Sequence, residues 1–374
     1  MSVYGIEFGN TQACISTIDK AGNPCIIPNW EDGTFELACA VYFEDVDNIV
    51  VGSCAKAMAE IDGNRVVQFI KREIGKPNAR TYEFDGKTYT PIEISALILM
   101  HLKELAEEQG YCVEDVVMTC PSCYGLEERN SLKRAAELAG LNVLSVLNES
   151  TAAAVHYCSR QFQDGKTILV YEIGSGAFDL SIAQMTSLID ATGNKVQRVT
   201  IIATGGNADL GGNDWDDELF NLILKACCDE NGLTPDEIDV ETRQLIRSRV
   251  ETNKKKLSTA KSSKIKANIN GTMTTIVINI EDFERLTSAK VDQTMNHVEE
   301  ILQKAGNIDI DSVLLVGGST CMPMIRNAVE TRFPGKVQAY MPEHAVALGA
   351  AIYGSNLSQN LHTIEKVIKI DQVV

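Results

Sequence analysis

The chain has 374 residues, of which 44% are hydrophobic, and this length and composition predict a large core divided among two or three domains. Its formal net charge of −17 argues against nucleic-acid binding, because an acidic surface repels phosphate. No apolar run reaches the roughly 18 residues that a membrane helix needs. The 11 scattered cysteines, an odd number, favour reduced thiols over a disulfide framework, so we expect a cytoplasmic protein without membrane or nucleic-acid partners.

The first predicted element is a strand that ends in an acid and runs into a glycine-containing turn. Residues 3–7 form this strand, Glu7 is the acid, and a second strand is predicted at residues 13–16. The same plan returns at residues 168–182, where Glu172 takes the place of Glu7. This internal repeat predicts two similar halves whose turns face one cleft.

Turns of this kind are suited to binding phosphate. Glycine lets backbone N–H groups approach an anion closely, and a carboxylate at the strand end can hold a hydrated magnesium ion beside it. A single such turn is more often an ordinary hairpin, whereas a matched pair favours a phosphate site. The chain has neither the glycine–lysine pattern of a P-loop nor the Gly-x-Gly-x-x-Gly pattern of a Rossmann domain.

Helices are predicted between and after the two hairpins. Apolar residues at helical spacing predict helices over residues 93–108 and 127–139 in the first half. In the second half, helices are predicted over residues 214–230, over the charged stretch 235–261, and from about His344. Strands and helices that alternate in each half indicate an α/β protein.

Three further segments of the second half are candidate ligand sites. The glycine-rich residues 205–214 open a helix and suit a phosphate or ribose group, although a flexible loop is equally expected. Residues 317–320 follow a short buried strand, as nucleotide-binding turns and plain strand-to-helix turns both do. The charged stretch carries four polar residues on one helix face, a pattern that normally marks a solvated surface: Glu251, Lys254, Lys255 and Ser258.

The cysteines and histidines give no clear metal or redox pattern. Cys120 and Cys123 have the spacing of a redox motif, but we interpret them as structural, reduced thiols. The 5 histidines lie far apart without metal-ligand spacing, and His156 and His344 are interpreted as packing or surface residues.

Taken in order, these segments resemble the nucleotide-binding domain of the 70-kDa heat-shock chaperone (DnaK-like) family along nearly the whole chain. Residues 5–11 resemble its Gly-Ile-Asp-Leu-Gly-Thr-Thr segment, and residues 148–154 resemble its Asn-Glu-Pro-Thr-Ala-Ala-Ala segment. Residues 69–75 resemble the segment with its phosphate-directed lysine, and residues 346–351 resemble its closing helix. The resemblance implies an α/β, actin-like ATPase fold, which is a duplicated ribonuclease H-like fold with two lobes around a nucleotide cleft.

The resemblance also implies a division of the chain. Residues 1–165 are expected to form lobe I, with the first phosphate loop and a subdomain inserted at about 35–90. Residues 166–355 are expected to form lobe II, with the second phosphate loop, the adenosine site and a subdomain inserted at about 213–288. The closing helix, at 344–353, is expected to return to lobe I.

The resemblance assigns roles to individual residues. The expected catalytic residues are Lys71, Glu149, Glu172 and Asp179. The expected metal ligands, acting mostly through water, are Glu7, Glu149 and Glu172. The expected nucleotide-binding residues are Gly9, Asn10, Thr11, Gln12, Gly174, Ser175, Gly176, Ala177, Gly211, Gly212, Glu251, Lys254, Lys255, Ser258, Gly317, Gly318, Ser319, Cys321 and Glu343. Pro121 and Arg129 match the pair that relays the nucleotide state between domains.

Several residues depart from the family pattern. Glu7 and Glu172 stand where the family has aspartates, and the added methylene of each predicts a re-tuned metal site. Lys255 and Cys321 stand where arginines flank the adenine ring, which predicts weaker adenine binding because neither stacks as a guanidinium does. Ser145 stands where the family has an arginine that docks the interdomain linker and a co-chaperone, which predicts weakened conventional co-chaperone coupling.

The resemblance finally implies a function. The chain is expected to bind ATP or ADP with Mg²⁺, with K⁺ as a second candidate cation, and to hydrolyse ATP slowly to drive conformational change for protein folding. Candidate partners are a co-chaperone or a nucleotide-exchange factor, with peptide clients only if a further domain follows the linker-like tail at 356–374. The alternatives are a nucleotide sensor that does not hydrolyse ATP, an actin-like filament ATPase and a sugar kinase.

Overall fold

The computed structural model describes residues 2–189, 195–269, 271–341, 343–359 and 369–372. The first part of the chain contains, in order, β1 (Val3–Phe8), β2 (Gln12–Ile18), β3 (Pro24–Ile26), β4 (Leu37–Ala38), β5 (Ala40–Phe43), β6 (Ile49–Val51), α1 (Ser53–Met58), β7 (Val66–Gln68), β8 (Tyr82–Phe84), β9 (Lys87–Tyr89), α2 (Pro91–Glu107), β10 (Asp115–Cys120), α3 (Leu126–Leu138), β11 (Asn142–Asn148) and α4 (Glu149–Arg160). The second part contains β12 (Thr167–Ile173), β13 (Phe178–Ile189), β14 (Lys195–Asn207), α5 (Gly212–Asn231), α6 (Val240–Leu257), β15 (Ser262–Ile269), β16 (Thr272–Asn279), α7 (Ile280–Lys304), β17 (Ser312–Val316), α8 (Pro323–Arg332), β18 (Val337–Ala339), α9 (Ala345–Gln359) and β19 (Lys369–Gln372).

Two six-stranded sheets carry the fold, and they share one strand order. The first sheet runs β11-β10-β1-β2-β3, with β4 also paired to β2, and the second runs β18-β17-β12-β13-β14, with β19 added beyond β14. In each sheet the first three strands are parallel and the next two pairings are antiparallel. Strands β1 and β12 are therefore equivalent, and the internal repeat predicted from the sequence is present in the fold.

Two lobes are built on these sheets. The first lobe consists of the β1 sheet with α1, α2, α3 and two small sheets, β6-β5-β7 and β8-β9. The second lobe consists of the β12 sheet with α5, α6, α7, α8 and the β15-β16 hairpin. Each lobe has its own apolar core, and a third core, which includes residues of both sheets, surrounds α4 and α9.

Helices α4 and α9 pack against each other between the lobes, and glycine makes this contact possible. A Cβ atom on Gly349 would lie 1.8 Å from the carbonyl oxygen of Ala152, so any side chain there would collide with the α4 backbone. Val3 of the first sheet and Val170 of the second are buried in the same cluster as Ala152. The two helices therefore join the lobes within the core that both sheets share.

Local sequence signals explain the regular elements. Helix α2 begins with a capping box in which Thr90 and Glu93 bond each other's backbone N–H groups, and Pro91 occupies the first helical position. Strand β12 is buried along its whole length, as expected of a strand flanked on both faces. Strand β15 instead alternates buried and exposed residues, as expected of a hairpin with one solvated face.

Two predicted helices differ from the structure at their boundaries. The charged stretch 235–261 is not one helix, because a 3-10 turn at Pro235–Glu237 precedes α6. The side chain of Asp239 accepts a hydrogen bond of 2.7 Å from the backbone of Thr242 and so starts α6 at Val240. The closing helix α9 extends past the predicted end at 353 to Gln359, and residues 360–368 and 373–374 of the predicted tail lie outside the described residues.

Two expectations about the whole chain can be compared with the structure. Among the described residues, no helix combines the length and apolar character needed to cross a membrane. All 11 cysteines are free thiols, and of the pair with redox-motif spacing Cys120 is buried and Cys123 is exposed.

Candidate functional site

The two lobes enclose a cavity of about 320 Å³ that is lined from both sides. Most of the site residues predicted from the sequence line it: Glu7, Gly9, Asn10, Thr11, Gln12, Lys71, Glu149, Glu172, Gly174, Ser175, Gly176, Ala177, Glu251, Lys254, Lys255, Ser258, Gly317, Gly318, Ser319, Cys321 and Glu343. Three predicted residues, Asp179, Gly211 and Gly212, are not part of its wall. Residues that are far apart in the sequence therefore meet around one space.

The two glycine turns have the same closing hydrogen bond. In the first turn the backbone N–H of Gly9 donates to the carbonyl of Gln12 at 2.9 Å, and in the second that of Gly174 donates to Ala177 at 3.1 Å. Each turn joins equivalent strands, β1 to β2 and β12 to β13. The turns thus approach the cavity as a matched pair, one from each lobe.

The turns touch where Asn10 packs against Gly176. A Cβ atom on Gly176 would lie 2.6 Å from the Asn10 Cβ, so glycine allows the close approach. The Asn10 side chain is 3% exposed, and neither its amide oxygen nor its amide nitrogen has a hydrogen-bond partner among the described residues. A buried amide without partners is unfavourable, so this position is suited to a polar ligand between the turns.

Lys71 and Glu149 form a buried ion pair at the cavity wall. Lys71 lies in the 3-10 turn Ile70–Glu73, which follows the left-handed backbone of Phe69 (φ 62°). Burial alone would lower the pKa of Lys71, but the Glu149 carboxylate outweighs burial and raises it. The hydroxyl of Tyr124 donates to the Lys71 carbonyl at 2.9 Å and thereby anchors the turn.

Glu7 and Glu172 are the penultimate residues of the equivalent strands β1 and β12, and they lie beside this ion pair. Burial, reinforced by the negative charge of Glu149, raises the pKa of Glu7 to about 8. The same two causes raise the pKa of Glu172 well above its ordinary value. Three carboxyl groups therefore surround one ammonium group, an excess of potential negative charge that a bound cation would neutralise.

These carboxyl groups fit a magnesium ion. Glu172 Oε2 is buried and has no hydrogen-bond partner within the described structure, and Glu7 has a long contact of 3.8 Å from the Cys14 thiol at Oε2 and a backbone hydrogen bond from Ala347. Mg²⁺ takes oxygen ligands and is usually held by one or two carboxylates together with water and phosphate oxygens. Glu7, Glu149 and Glu172 are the residues that would hold it.

A second group of potential metal ligands also borders the cavity. Ligand atoms of Glu36, Glu343 and His344 lie within 4.8 Å of one another, and His344 Nε2 is 2.6 Å from Glu36 Oε1. The His344 ring also packs edge-on against Phe35 at 5.7 Å, which agrees with its interpretation as a packing residue. Glu36 was not predicted, because it lies in an irregular segment without a recognisable motif.

On the polar face of α6, the Lys254 side chain is buried rather than solvated. Lys254 is 7% exposed, and its ammonium group contacts the Gly212 carbonyl and an oxygen of Asp216, both at 2.8 Å. The other oxygen of Asp216 is buried without a partner among the described residues. Asp216 lines the cavity too, although no sequence motif marked it.

Glu251 links the same face of α6 to the first lobe. It contacts Lys56 of α1 at 3.0 Å and Lys255 at 2.9 Å. Burial alone would raise the pKa of Glu251, but the ammonium groups of Lys56 and Lys255 outweigh it and hold the pKa at about 2. The ion pair with Lys56 spans the cleft between α1 of the first lobe and α6 of the second.

The turn after β17 completes the wall. Gly317 has a φ of 84°, and a Cβ atom there would lie 2.2 Å from the Ile173 carbonyl, so the position requires glycine. The hydroxyl of Ser319 donates to the Gly174 carbonyl at 3.1 Å and ties this turn to the second glycine turn. Beyond it the cavity is lined by Cys321, whose thiol lies near Lys255.

Gly211 and Gly212 act through the second glycine turn rather than through the cavity wall. The backbone N–H of Gly212 donates to Gly174 at 2.9 Å, and that of Asn213 donates to Ser175 at 2.8 Å. A Cβ atom on Gly211 would lie 2.5 Å from the carbonyl carbon of Gly176. The N–H groups at the start of α5 therefore support the turn.

Asp179, which was predicted to be catalytic, is buried beside the cavity with both carboxylate oxygens engaged. One oxygen accepts from the backbone and the hydroxyl of Ser122, and the other accepts from the backbone and the hydroxyl of Ser150. Burial raises the pKa of Asp179 to about 7 in spite of these donors. The side chain is therefore already satisfied by protein groups.

The predicted relay pair lies close to the same region. Pro121 lines the cavity, and Arg129 donates to the side chain of Asn148 at 2.6 Å, next to Glu149. Arg72 was missed in the sequence: its guanidinium group contacts the Gly176 carbonyl at 2.8 Å and Asp214 at 2.5 Å. Only its position directly after Lys71 could have suggested that Arg72 bridges the lobes.

A family model described as Hsp70 protein matches residues 3–372, which is nearly the entire chain.

Proposed function

Because the chain belongs to the Hsp70 family of 70-kDa heat-shock proteins, we propose that it binds ATP with Mg²⁺ between its lobes and hydrolyses it slowly to drive chaperone-type conformational change. Members of this family have the two-lobed, actin-like α/β ATPase fold, bind ATP and ADP, and act as ATP-dependent chaperones. The slow rate, the metal ion and the residue roles are the parts of the proposal that concern this chain in particular.

The pairing of two equivalent glycine turns across one cavity supports the proposal most strongly. The turns contribute backbone from both lobes, and the unpaired amide of Asn10 is buried where they meet. Such a concave arrangement of backbone groups is suited to a chain of phosphates. Lys71 and the carboxyl groups of Glu7, Glu149 and Glu172 lie at the same place, as a phosphate–metal site needs.

Phosphoryl transfer asks a protein mainly to position groups and to stabilise charge. Lys71 would balance the charge of the terminal phosphate and help to position the attacking water, and Glu149 would orient that water. Glu7, Glu149 and Glu172 would hold Mg²⁺, which supplies positive charge between the phosphates when bound. The product state would then allow the lobes to separate, as hinged domains commonly do.

We expect slow hydrolysis because the groups needed for it are already engaged with one another. Lys71 is paired with Glu149 inside the protein, so a phosphate must compete with a buried carboxylate for the same ammonium group. The raised pKa of Glu7 also favours its neutral form near pH 7, which is a poor metal ligand. Slow turnover would keep the ATP state long-lived, which suits a switch.

The test is ATP binding and single-turnover hydrolysis with Mg²⁺, for the parent and for Lys71→Met. We expect the variant to cleave ATP at least about 100-fold more slowly while it still binds ATP. Lys76→Met is the matched control, because Lys76 is an exposed lysine whose ion pair with Asp209 lies outside the cavity. Equal cleavage by the parent and by Lys71→Met would contradict the role of Lys71.

A nucleotide sensor that does not hydrolyse ATP is the second candidate function. It is favoured by one observation, namely that both oxygens of Asp179 are occupied by Ser122 and Ser150 and are not directed to the cavity. ATP binding by the parent without cleavage would support this candidate. Reversion of Glu7 and Glu172 to aspartate would then be the first step to restore hydrolysis.

The partners are proposed on the same basis. Members of the family generally work with co-chaperones and nucleotide-exchange factors, and we extend the use of an exchange factor to this chain. Ser145 in place of an arginine predicts a weakened co-chaperone contact, and peptide clients require a further domain. Pull-down of the protein with and without ATP tests whether an exchange factor binds the nucleotide-free form.

A further inference from the structure

Asp179 lies at one of the contacts between the two lobes. It lies on β13 of the second lobe, and its carboxylate is 1% exposed. Its hydrogen-bond donors belong to segments that follow strands of the first sheet: Ser122 comes after β10, and Ser150 lies in the first turn of α4, after β11. One carboxylate of the second lobe is thus held by two separate segments that extend from the first.

Four hydrogen bonds make up this contact. Asp179 Oδ1 accepts from the Ser122 backbone at 2.7 Å and from the Ser122 hydroxyl, and Oδ2 accepts from the Ser150 backbone at 3.2 Å and from the Ser150 hydroxyl at 2.7 Å. Loss of a donor to a buried carboxyl oxygen leaves that oxygen unsatisfied, which is costly inside a protein.

Both serines have a further contact with the second lobe. The Ser122 hydroxyl also lies 2.8 Å from the carbonyl oxygen of Gly205 on β14, which shares the single hydroxyl proton with Asp179. The Ser150 hydroxyl lies 2.7 Å from the Ser181 hydroxyl on β13. A movement that shifts β13 away from Ser122 and from the start of α4 must therefore break the bonds to Asp179 and these two contacts together.

The same two segments carry groups of the cavity. Ser122 directly follows Pro121, and Ser150 directly follows Glu149, and both of these neighbours line the cavity wall. The family has proline where this chain has Ser150, and proline could supply neither the backbone N–H nor the hydroxyl. The contact with Ser150 is therefore a property of this chain.

We propose that Ser122, Ser150 and Asp179 form an interlobe clasp, in which Asp179 is a positioning residue that holds the lobes closed and limits the release of nucleotide. The proposal rests on the proposed function only in its second part, the release of nucleotide. The first part, closure of the lobes, concerns the protein without any ligand.

The expected effect follows from the hydrogen bonds that exist only in the closed state. Loss of one hydroxyl that donates to a buried carboxylate should shift the balance between closed and open lobes by about tenfold. Ser122→Ala and Ser150→Ala remove one such donor each. Ser122→Thr keeps a hydroxyl at a half-buried position, so it should behave like the parent.

The experiment has two measurements. Amide hydrogen exchange of the nucleotide-free protein, followed by mass spectrometry, reports opening at residues 119–124 and 148–152. Stopped-flow release of a fluorescent ADP reports opening with ligand. Both measurements are made on the parent and on Ser122→Ala, Ser150→Ala, their double variant, Ser122→Thr and Asp179→Asn. The control is Ser95→Ala, because Ser95 is a buried serine of α2 away from the lobe contact.

We expect about tenfold faster amide exchange and about tenfold faster ADP release in each Ser→Ala variant. Ser122→Thr and Ser95→Ala should have the values of the parent. Both Ser122→Ala and Ser150→Ala should cleave bound ATP at a rate within about threefold of the parent. Unchanged exchange in both Ser→Ala variants overturns the clasp. Slower cleavage in Asp179→Asn with unchanged exchange would also overturn it, since Asp179 would then act in the chemistry. If the parent binds no nucleotide, the proposed function fails, but the exchange measurement still decides the clasp.

Discussion

Lys71 and Glu149, which are 78 residues apart in the sequence, form an ion pair in which both side chains are at most 10% exposed. A buried pair of this kind stabilises a fold only while both partners are present, because each charge compensates the burial of the other. Here the pair also lies beside two further acids, Glu7 and Glu172, and the Lys71 ammonium group is the cation that opposes the rise in the pKa of both. The stability of the protein should therefore be sensitive to Lys71.

Lys71→Met should lower the free energy of unfolding by about 3 kcal/mol at neutral pH, because it leaves the carboxyl group of Glu149 buried without its partner. Lys71→Met/Glu149→Gln should recover much of this loss, since the second change removes the unpaired charge. Chemical denaturation of the parent, both single variants and the double variant gives the coupling energy directly.

The control for this cycle is again Lys76→Met, whose exposed ion pair should change stability by no more than about 0.5 kcal/mol. If Lys71→Met were as stable as Lys76→Met, the pair would contribute nothing to the fold, and its role would be confined to the ligand.

The fold was predictable where local pattern and tertiary structure agree. The acid-then-glycine plan of β1 recurs in β12, so the repeat could be read from the sequence before the matching strand orders of the two sheets were known. The resemblance to a known family then identified the segments that converge on the cavity. It could do so because the order and spacing of several motifs along the chain carry information that no single helix or strand contains.

Contacts between distant side chains were not predictable. The sequence places Lys254 on a charged helix face, but only the packing of α5 on α6 shows that it is buried against Asp216. Asp179 matched a motif, yet its hydrogen bonds depend on how Ser122 and Ser150 meet it across the lobes. Such contacts follow from the relative position of whole elements, which helical or strand periodicity does not contain.

Removal of magnesium should matter more at high pH than at low pH. The pKa of Glu7 is raised from an ordinary value of 4.5 to about 8 in the folded protein. Between these two pKa values, and without metal, the folded state therefore binds more protons than the unfolded state. Stability without metal should therefore fall as the pH rises through this range. Mg²⁺ competes with these protons, so it should stabilise the protein more at about pH 9 than at about pH 6.

Thermal unfolding at both pH values, with Mg²⁺ and with a chelator, measures this difference. Glu7→Gln should flatten the pH dependence and reduce the stabilisation by Mg²⁺ at the higher pH. An equal shift of the melting temperature by Mg²⁺ at both pH values would show that the metal does not contact titrating carboxyl groups.

Gly349→Ala should disrupt the contact between α4 and α9. The added Cβ would lie 1.8 Å from the Ala152 carbonyl oxygen, and two packed helices cannot separate locally without opening the core that both lobes share. We expect a loss of about 3 kcal/mol of unfolding free energy. Gly22→Ala is the comparison, since it adds a methyl group in open space at a φ of 83° and should cost only about 1 kcal/mol of backbone strain. Equal losses in the two variants would mean that the helices readjust freely.

Cys321→Arg should tighten ATP binding. The cavity is lined near Lys255 by the small thiol of Cys321, which cannot stack on a nucleobase, whereas a guanidinium group can lie flat against a purine ring. A cation–π contact of this kind predicts a gain of roughly threefold to tenfold in affinity for ATP. Inorganic tripolyphosphate, which carries the phosphates without a base, is the control ligand, and its affinity should change little. Titration calorimetry of both ligands with the parent and with Cys321→Arg shows whether a gain comes from stacking on the base or from added charge. A gain confined to ATP places the base beside residue 321. An equal gain for tripolyphosphate would mean that the added positive charge attracts any anion and that the base binds elsewhere.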